Sequence, residues 1–211
     1  MADASSPPPK RKRTDSLAAE DAPTITRSDI WKLYGDVVLQ AESTQFRVNR
    51  DVLATHSPVF EHMFSAPQPA GSPTVDGCPL VLLPEDTAKE WTWVLGVMYT
   101  PFRHQTTIPL DLIRALLKLG SKYEMSDLRA HAVEAIHYEF PAQRDRFYEL
   151  YGDFPWSPRR IEARSSVEIS LLNLIHKYGI SSSLPVAGLV CLKMHPLASP
   201  SPDKVPALFD S

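Results

Sequence analysis

The first clear hydrophobic pattern in the chain is a pair of strand-like runs. Residues 36–40, DVVLQ, are mostly apolar, and residues 44–48, TQFRV, alternate between apolar and polar. The break at residues 41–43 allows a tight turn, so the two runs predict a β-hairpin. A third apolar run, at residues 79–83, ends at Pro84 and predicts one more strand. The pattern therefore predicts a small three-stranded sheet.

Two short helices are predicted between the hairpin and the third strand, in residues 53–64, LATHSPVFEHMF. Ser57 followed by Pro58 is typical of a helix start. The serine hydroxyl can accept a hydrogen bond from an otherwise unpaired backbone N–H, and proline suits the first turn, where no backbone N–H is required. Four apolar side chains then share one face of the second helix. They are Val59, Phe60, Met63 and Phe64. The prolines and glycines of residues 66–78 predict an irregular loop after this helix.

Helical periodicity dominates the rest of the chain. It predicts a helix from about Glu85 to Tyr99, with Glu85 and Asp86 in the first turn, where the helix dipole favours acidic side chains. Further apolar stripes predict helices that begin near residues 109, 126, 167 and 183. The expected fold class is therefore α+β, with a small three-stranded sheet, a cluster of helices and a C-terminal helical extension.

Residues 1–27 differ in composition from the rest of the chain. They contain few large apolar side chains and are predicted to form a disordered tail. An uninterrupted basic run lies within this tail at Lys10, Arg11, Lys12 and Arg13. Such a run is typical of a nuclear import signal bound by an import receptor, and the alternative is a solvated charge cluster. Pro141 indicates a second boundary, between a domain at 28–140 and a helical extension at 141–211.

Charge, cysteine content and hydropathy limit the possible functions. The formal net charge is -3 and the isoelectric point is near 6.2, so no overall basic field is available to bind nucleic acid directly. Cys78 and Cys191 form no CxxC pair, which argues against a disulfide scaffold or a zinc finger. The longest apolar run is shorter than the roughly 20 residues that cross a bilayer. We therefore expect a soluble protein of the nucleus, the cytoplasm or both, with no membrane partner.

The chain contains no motif for catalysis, cofactor binding or metal binding. The patterns GxSxG, GxxxxGK and HExxH are absent, and His131 and His137 are six residues apart, so they do not share a helix face. His56 lies beside Ser57, but neighbouring side chains on a helix diverge by about 100° and the capping role already accounts for the serine. A non-enzymatic protein without a cofactor is predicted. The alternative, an enzyme with an unrecognised site, has only the histidines to support it.

The order of elements and many individual residues resemble the BTB/POZ domain over about residues 29–140. The matching residues in the strands are Asp36-Val37-Val38, Phe46-Arg47-Val48, Leu80 and Leu82. Those in the helices are Leu53-Ala54, Ser57, Phe60, Met63-Phe64, Tyr99-Thr100, Leu117, Lys122-Tyr123 and Leu128. The later helices look like the helical extension of fungal BTB proteins. The resemblance implies a BTB fold and a domain that dimerises and recruits other proteins.

The resemblance also implies two sites. In the family, an acidic residue at the Asp36 position and a basic residue at the Arg50 position face each other in a pocket near a two-fold dimer interface. The alternative is that Asp36 caps a turn and Arg50 is a solvated charge. The family usually has histidine where this chain has Asn49, which puts a pH-sensitive site in doubt. Glu61 and His62, on the exposed side of the helical pair, are where a partner would dock.

Two functions are compatible with this resemblance. The first is a homodimeric scaffold that recruits partners as a nuclear regulatory or assembly protein, which suits the basic run. The second is an adaptor that brings substrates to a cullin-RING ubiquitin ligase. Family members of the second kind often carry a hydrophobic-x-Glu element in the loop after the helical pair, and no glutamate lies between Ser65 and Cys78. The first function is therefore preferred.

Overall fold

The computed structural model describes residues 24–67, 71–100, 107–152 and 155–196. Within these ranges the strands form one sheet in the order β1-β3-β2-β5-β4. Their bounds are Thr26–Trp31 for β1, Val37–Ala41 for β2, Thr44–Val48 for β3, Thr74–Val75 for β4 and Cys78–Leu82 for β5. The predicted hairpin is confirmed, because β2 and β3 pair antiparallel. The predicted number of three strands is wrong, since the described sheet has five.

The two unpredicted strands, β1 and β4, extend the sheet through backbone hydrogen bonds and place few side chains in the core. β1 pairs parallel with β3, and its residues are exposed or half-buried, so its sequence TRSDIW lacks a clear apolar alternation. It begins inside the segment predicted as a tail, which ends at residue 27. β4 has only two residues and lies in the segment predicted as an irregular loop. Asp76 and Gly77 join it to β5 in a two-residue turn, and both have positive φ, as a tight hairpin turn requires.

Seven of the eight described α-helices follow the predicted order, and the helix at Arg144–Tyr151 was not predicted. The bounds of all eight are Arg50–His56 for α1, Pro58–Ser65 for α2, Ala88–Tyr99 for α3, Leu110–Lys122 for α4, Ser126–Glu139 for α5, Arg144–Tyr151 for α6, Val167–Lys177 for α7 and Leu184–Met194 for α8. A short 3-10 turn at Ser181–Ser183 precedes α8. The predicted α+β class, with C-terminal helices after the sheet and its helical cluster, is confirmed.

Ser57 joins α1 and α2 to the core. Its hydroxyl oxygen accepts a hydrogen bond from the backbone N–H of Phe60 at 3.2 Å, which confirms the predicted helix cap. The same hydroxyl donates to the backbone oxygen of Tyr123 at 2.6 Å. Leu53 and Phe60 are fully buried, while Met63 and Phe64 are half-buried against the same core. The apolar face predicted for this segment therefore closes the hydrophobic core.

The start of α3 differs from the prediction. Thr87 caps the helix, and the side chain of Glu90 accepts from the backbone N–H of Thr87 in a reciprocal capping box. Glu85 and Asp86 therefore precede the helix and do not occupy its first turn. Asp86 is buried and accepts hydrogen bonds from Trp91 Nε1 and from the Tyr123 hydroxyl, while Lys122 Nζ lies 2.7 Å from its carboxylate. Tertiary partners, which sequence periodicity does not reveal, place this carboxylate in the core.

An irregular segment at residues 156–162, here called the strap, connects the C-terminal helices to the preceding domain. Glu139, at the end of α5, is fully buried. Its Oε1 accepts from three consecutive strap amides, those of Arg159 at 3.0 Å, Arg160 at 2.6 Å and Ile161 at 3.1 Å. The Glu139 carboxylate also accepts from the hydroxyl of Tyr151.

Two further contacts hold the strap in place. The Trp156 ring stacks on Phe140 with centroids 5.2 Å apart, and the backbone N–H of Ile108 donates to the oxygen of Arg160 at 2.7 Å. The strap therefore carries hydrogen bonds and apolar contacts across the predicted boundary at residue 141.

Candidate interaction surface

Asp36 and Arg50 meet at the first turn of α1. Asn49 is the residue before the helix, but its side chain makes no capping hydrogen bond. Asp36, which precedes β2, supplies that bond instead: its Oδ1 accepts from the backbone N–H of Arg50 at 2.8 Å. Its Oδ2 lies 3.6 Å from Arg50 Nε, and Arg50 Nη2 donates to the Asp36 backbone oxygen at 3.3 Å. The Asp36 carboxylate therefore satisfies a free backbone N–H at the start of α1 and also offsets the positive charge of the Arg50 guanidinium.

This charged pair is at the surface of the chain. The Asp36 side chain is 55% exposed and the Arg50 side chain is 33% exposed. An ion pair this open to water contributes little to stability, at most about 1 kcal/mol. Yet Arg50 Nε itself is buried and makes no hydrogen bond within the described residues. A single copy of the chain thus leaves the pair only partly desolvated, and a molecule covering it would complete the desolvation.

Asn49, where the family usually has histidine, ties the surrounding loops together. Its backbone N–H donates to the Tyr99 hydroxyl at 2.9 Å, and that hydroxyl donates to Asn49 Oδ1 at 3.1 Å. Its Nδ2 donates to the backbone oxygen of Tyr34 at 2.9 Å. Burial raises the pKa of Tyr99, with a smaller contribution from the negative charge of Asp36. The amide thus fixes the turn before Asp36 without adding a group that titrates near neutral pH.

Two exposed apolar residues, Leu33 and Tyr34, extend this surface and were not singled out from the sequence. They are 74% and 85% exposed in the turn between β1 and β2. The turn is held by the bond from Arg47 Nε to the Gly35 oxygen at 2.8 Å and by the bond from Asn49 to Tyr34. Large apolar side chains on a fixed turn are suited to protein contacts. We call Leu33, Tyr34, Asp36 and Arg50 together the α1 surface.

The other predicted site residues are placed separately. Glu61 and His62 are both exposed on α2, directly after the buried Phe60. They do not belong to the α1 surface. The basic run Lys10, Arg11, Lys12 and Arg13 lies outside the described residues.

Within the ranges that the structure describes, no group of three or more His, Cys, Asp or Glu side chains could hold a metal ion. No helix among the described residues is long and apolar enough to cross a membrane.

The family model for the BTB/POZ domain matches residues 30–139, just over half of the chain. The chain belongs to the BTB/POZ family. None of the curated proteins matches it. BTB domains generally mediate protein–protein interaction and self-association, and they are typically non-catalytic. The predicted resemblance over about residues 29–140 is thereby confirmed, and the α1 surface and the exposed side of α2 both lie within the matched BTB domain.

Proposed function

We propose that this BTB protein is a non-enzymatic scaffold of the fungal type that forms homodimers and recruits partners in the nucleus. The main support is the meeting of Asp36 and Arg50 at an incompletely covered surface within a BTB domain. Two large exposed side chains, Leu33 and Tyr34, adjoin this pair. A second copy packed there would remove apolar surface from water and would desolvate an ion pair whose charges are already matched.

Asp36→Asn is expected to weaken the dimer about tenfold, which corresponds to about 1.4 kcal/mol of binding free energy. The amide oxygen of asparagine can still accept from the Arg50 backbone N–H, so the helix cap is kept. Only the negative charge is lost, which leaves the Arg50 charge unpaired in the contact. Analytical ultracentrifugation over a range of micromolar concentrations measures the change.

The control for this experiment is Asp127→Asn, an equal charge change at an exposed position of α5. It should leave the dimer constant unaltered. A wild-type chain that stays monomeric at these concentrations contradicts self-association. Equal dimer dissociation constants for the Asp36 and Asp127 variants would contradict the role of the charged pair but not self-association itself.

Replacement of Lys10, Arg11, Lys12 and Arg13 by alanine is expected to shift the protein from the nucleus to the cytoplasm. An import receptor binds such a run through several charges at once, so the loss of all four removes the recognition. Fluorescence microscopy of a tagged full chain gives the nuclear-to-cytoplasmic ratio. Arg144→Ala combined with Arg146→Ala, at two exposed positions of α6, is the control. An unchanged ratio after loss of the basic run contradicts its role in import.

The alternative function is that of a substrate adaptor for a cullin-RING ubiquitin ligase. BTB domains commonly bind cullins, and α2 presents Glu61 and His62 to solvent. Because the loop after α2 lacks glutamate, we expect affinity capture of the full chain from its native cells to retain no cullin. Retention of a cullin that Glu61→Lys abolishes, but that Glu149→Lys at an exposed position of α6 does not, would establish the adaptor function instead.

A further inference from the structure

The strap contains the sequence Ser157-Pro158-Arg159-Arg160. A serine followed by proline, with a basic residue three positions after the serine, is the pattern that proline-directed serine/threonine kinases accept. Proline has no backbone N–H that would need a partner in the kinase cleft, and the arginine can form an ion pair with acidic groups there. Two of the described residues begin this pattern: Ser157, and Thr100, which directly follows α3 and is succeeded by Pro101 and Arg103. Ser157 differs from Thr100 in its place, because it lies in the strap.

The position of Ser157 supports its modification. Ser157 and both arginines are exposed, and the backbone around them is irregular, between α6 and α7. The Ser157 hydroxyl makes no hydrogen bond to another residue of the described part of the chain. By contrast, Ser57 also precedes a proline but is fully buried, and it is followed at the third position by Phe60. Exposure and the basic residue therefore distinguish Ser157 from Ser57.

The neighbours of Ser157 are fixed on both sides. Trp156, which precedes it, is 4% exposed and stacks on Phe140. The amides of Arg159 and Arg160, which follow it, donate to the buried carboxylate of Glu139. A kinase binds its substrate segment in an extended form, so the strap must open locally before the reaction. Phosphorylation at this position therefore acts on the same contacts that join the C-terminal helices to the BTB domain.

We propose that Ser157 is phosphorylated by a proline-directed serine/threonine kinase and that the phosphate loosens the strap. In the reaction, Ser157 Oγ forms a bond to the γ-phosphorus of ATP, and the bond from that phosphorus to the β–γ bridging oxygen breaks. ADP leaves with the electron pair of the broken bond, and the hydroxyl proton passes to a base of the kinase. The product carries about -1.5 to -2 charge at neutral pH.

The new charge opposes the existing contacts of the strap in two ways. It lies two residues from the Arg159 amide that donates to the buried carboxylate of Glu139, so it adds like charge close to that group. It also attracts the guanidinium of Arg160, which now lies 3.5 Å from the Glu134 carboxylate and 4.2 Å from the Tyr138 ring centre. Both effects favour the open strap.

Incubation of the full chain with a cyclin-dependent kinase and Mg²⁺-ATP, followed by phosphopeptide mass spectrometry, tests the site. We expect phosphate on Ser157 and none at this position in Ser157→Ala. Arg160→Ala should slow the labelling about tenfold, as expected for the loss of one charge-assisted contact. Arg159→Ala, one position earlier, is the matched control and should change the rate little.

Three outcomes would overturn the proposal. The first is the absence of phosphate at Ser157 while Ser201, which has proline next and Lys204 at the third position, is labelled in the same reaction. The second is equal labelling of the Arg160 and Arg159 variants. The third is an unchanged rate of hydrogen exchange at the amides of residues 159–161 after phosphorylation. Loosening of the strap predicts faster exchange there in the phosphorylated chain than in the unmodified chain.

Discussion

Glu139→Ala is expected to lower the free energy of unfolding by roughly 3 to 5 kcal/mol. The fully buried carboxylate is the acceptor for the backbone amides of Arg159, Arg160 and Ile161 and for the hydroxyl of Tyr151. Alanine removes this acceptor from all four donors at once. A buried donor without a partner costs about 1 to 3 kcal/mol, so even partial rescue by water leaves a large loss. Urea denaturation measures the change.

Glu134→Ala is the matched control for this prediction, because Glu134 lies on the same helix, α5. Its side chain is 72% exposed and forms an ion pair with Arg160 at 3.5 Å. The loss of such a surface pair should change the free energy of unfolding by no more than about 0.5 kcal/mol. Equal stabilities of the two variants would contradict the role assigned to Glu139.

The sequence predicts elements well where burial follows a regular period. β3, α4 and α7 bury the apolar residues that their periodicity indicates, since their core faces repeat every two or every 3.6 residues. β2 is instead a continuous apolar run, and Val37, Val38 and Leu39 are all fully buried. β1 was missed because its residues are exposed or half-buried and show no apolar alternation. β4 was missed although Asp76-Gly77, a strong hairpin signal, lies in the segment assigned to a loop. The prolines and glycines around it favoured the loop interpretation.

The candidate site shows a different limit. The pairing of Asp36 with Arg50 was expected only from the family resemblance, because residues 14 positions apart give no local signal of contact. The exposure of Leu33 and Tyr34 was not predictable from the sequence either, since an apolar pair beside a strand is usually buried. Glu139 was missed for a related reason: its partners lie 12 to 22 residues away along the chain. Carboxylates that organise tertiary structure look like ordinary surface residues of a helix in the sequence.

Asp86→Ala is expected to cost roughly 3 to 4 kcal/mol of unfolding free energy. The buried carboxylate accepts from Trp91 Nε1 and the Tyr123 hydroxyl and pairs with Lys122. Burial, together with the bond to Asp86, raises the pKa of Tyr123 above its ordinary value, so the phenol is a neutral donor at physiological pH. Alanine would leave two aromatic donors unpaired in the core. Thermal or urea unfolding of the full chain measures the loss.

The effect of Asp86→Ala should extend to the partner-docking side of α2. Phe60 stacks on Tyr123 with centroids 5.0 Å apart and meets Trp91 edge-on, so the two donors of Asp86 also form the platform under α2. Hydrogen exchange in α2 should therefore accelerate along with the loss of stability. Glu85→Ala, at the exposed neighbouring carboxylate, is the control and should change stability by no more than about 0.5 kcal/mol. If the Asp86 and Glu85 variants were equally stable, Asp86 would not be the acceptor that positions Trp91 and Tyr123 beneath α2.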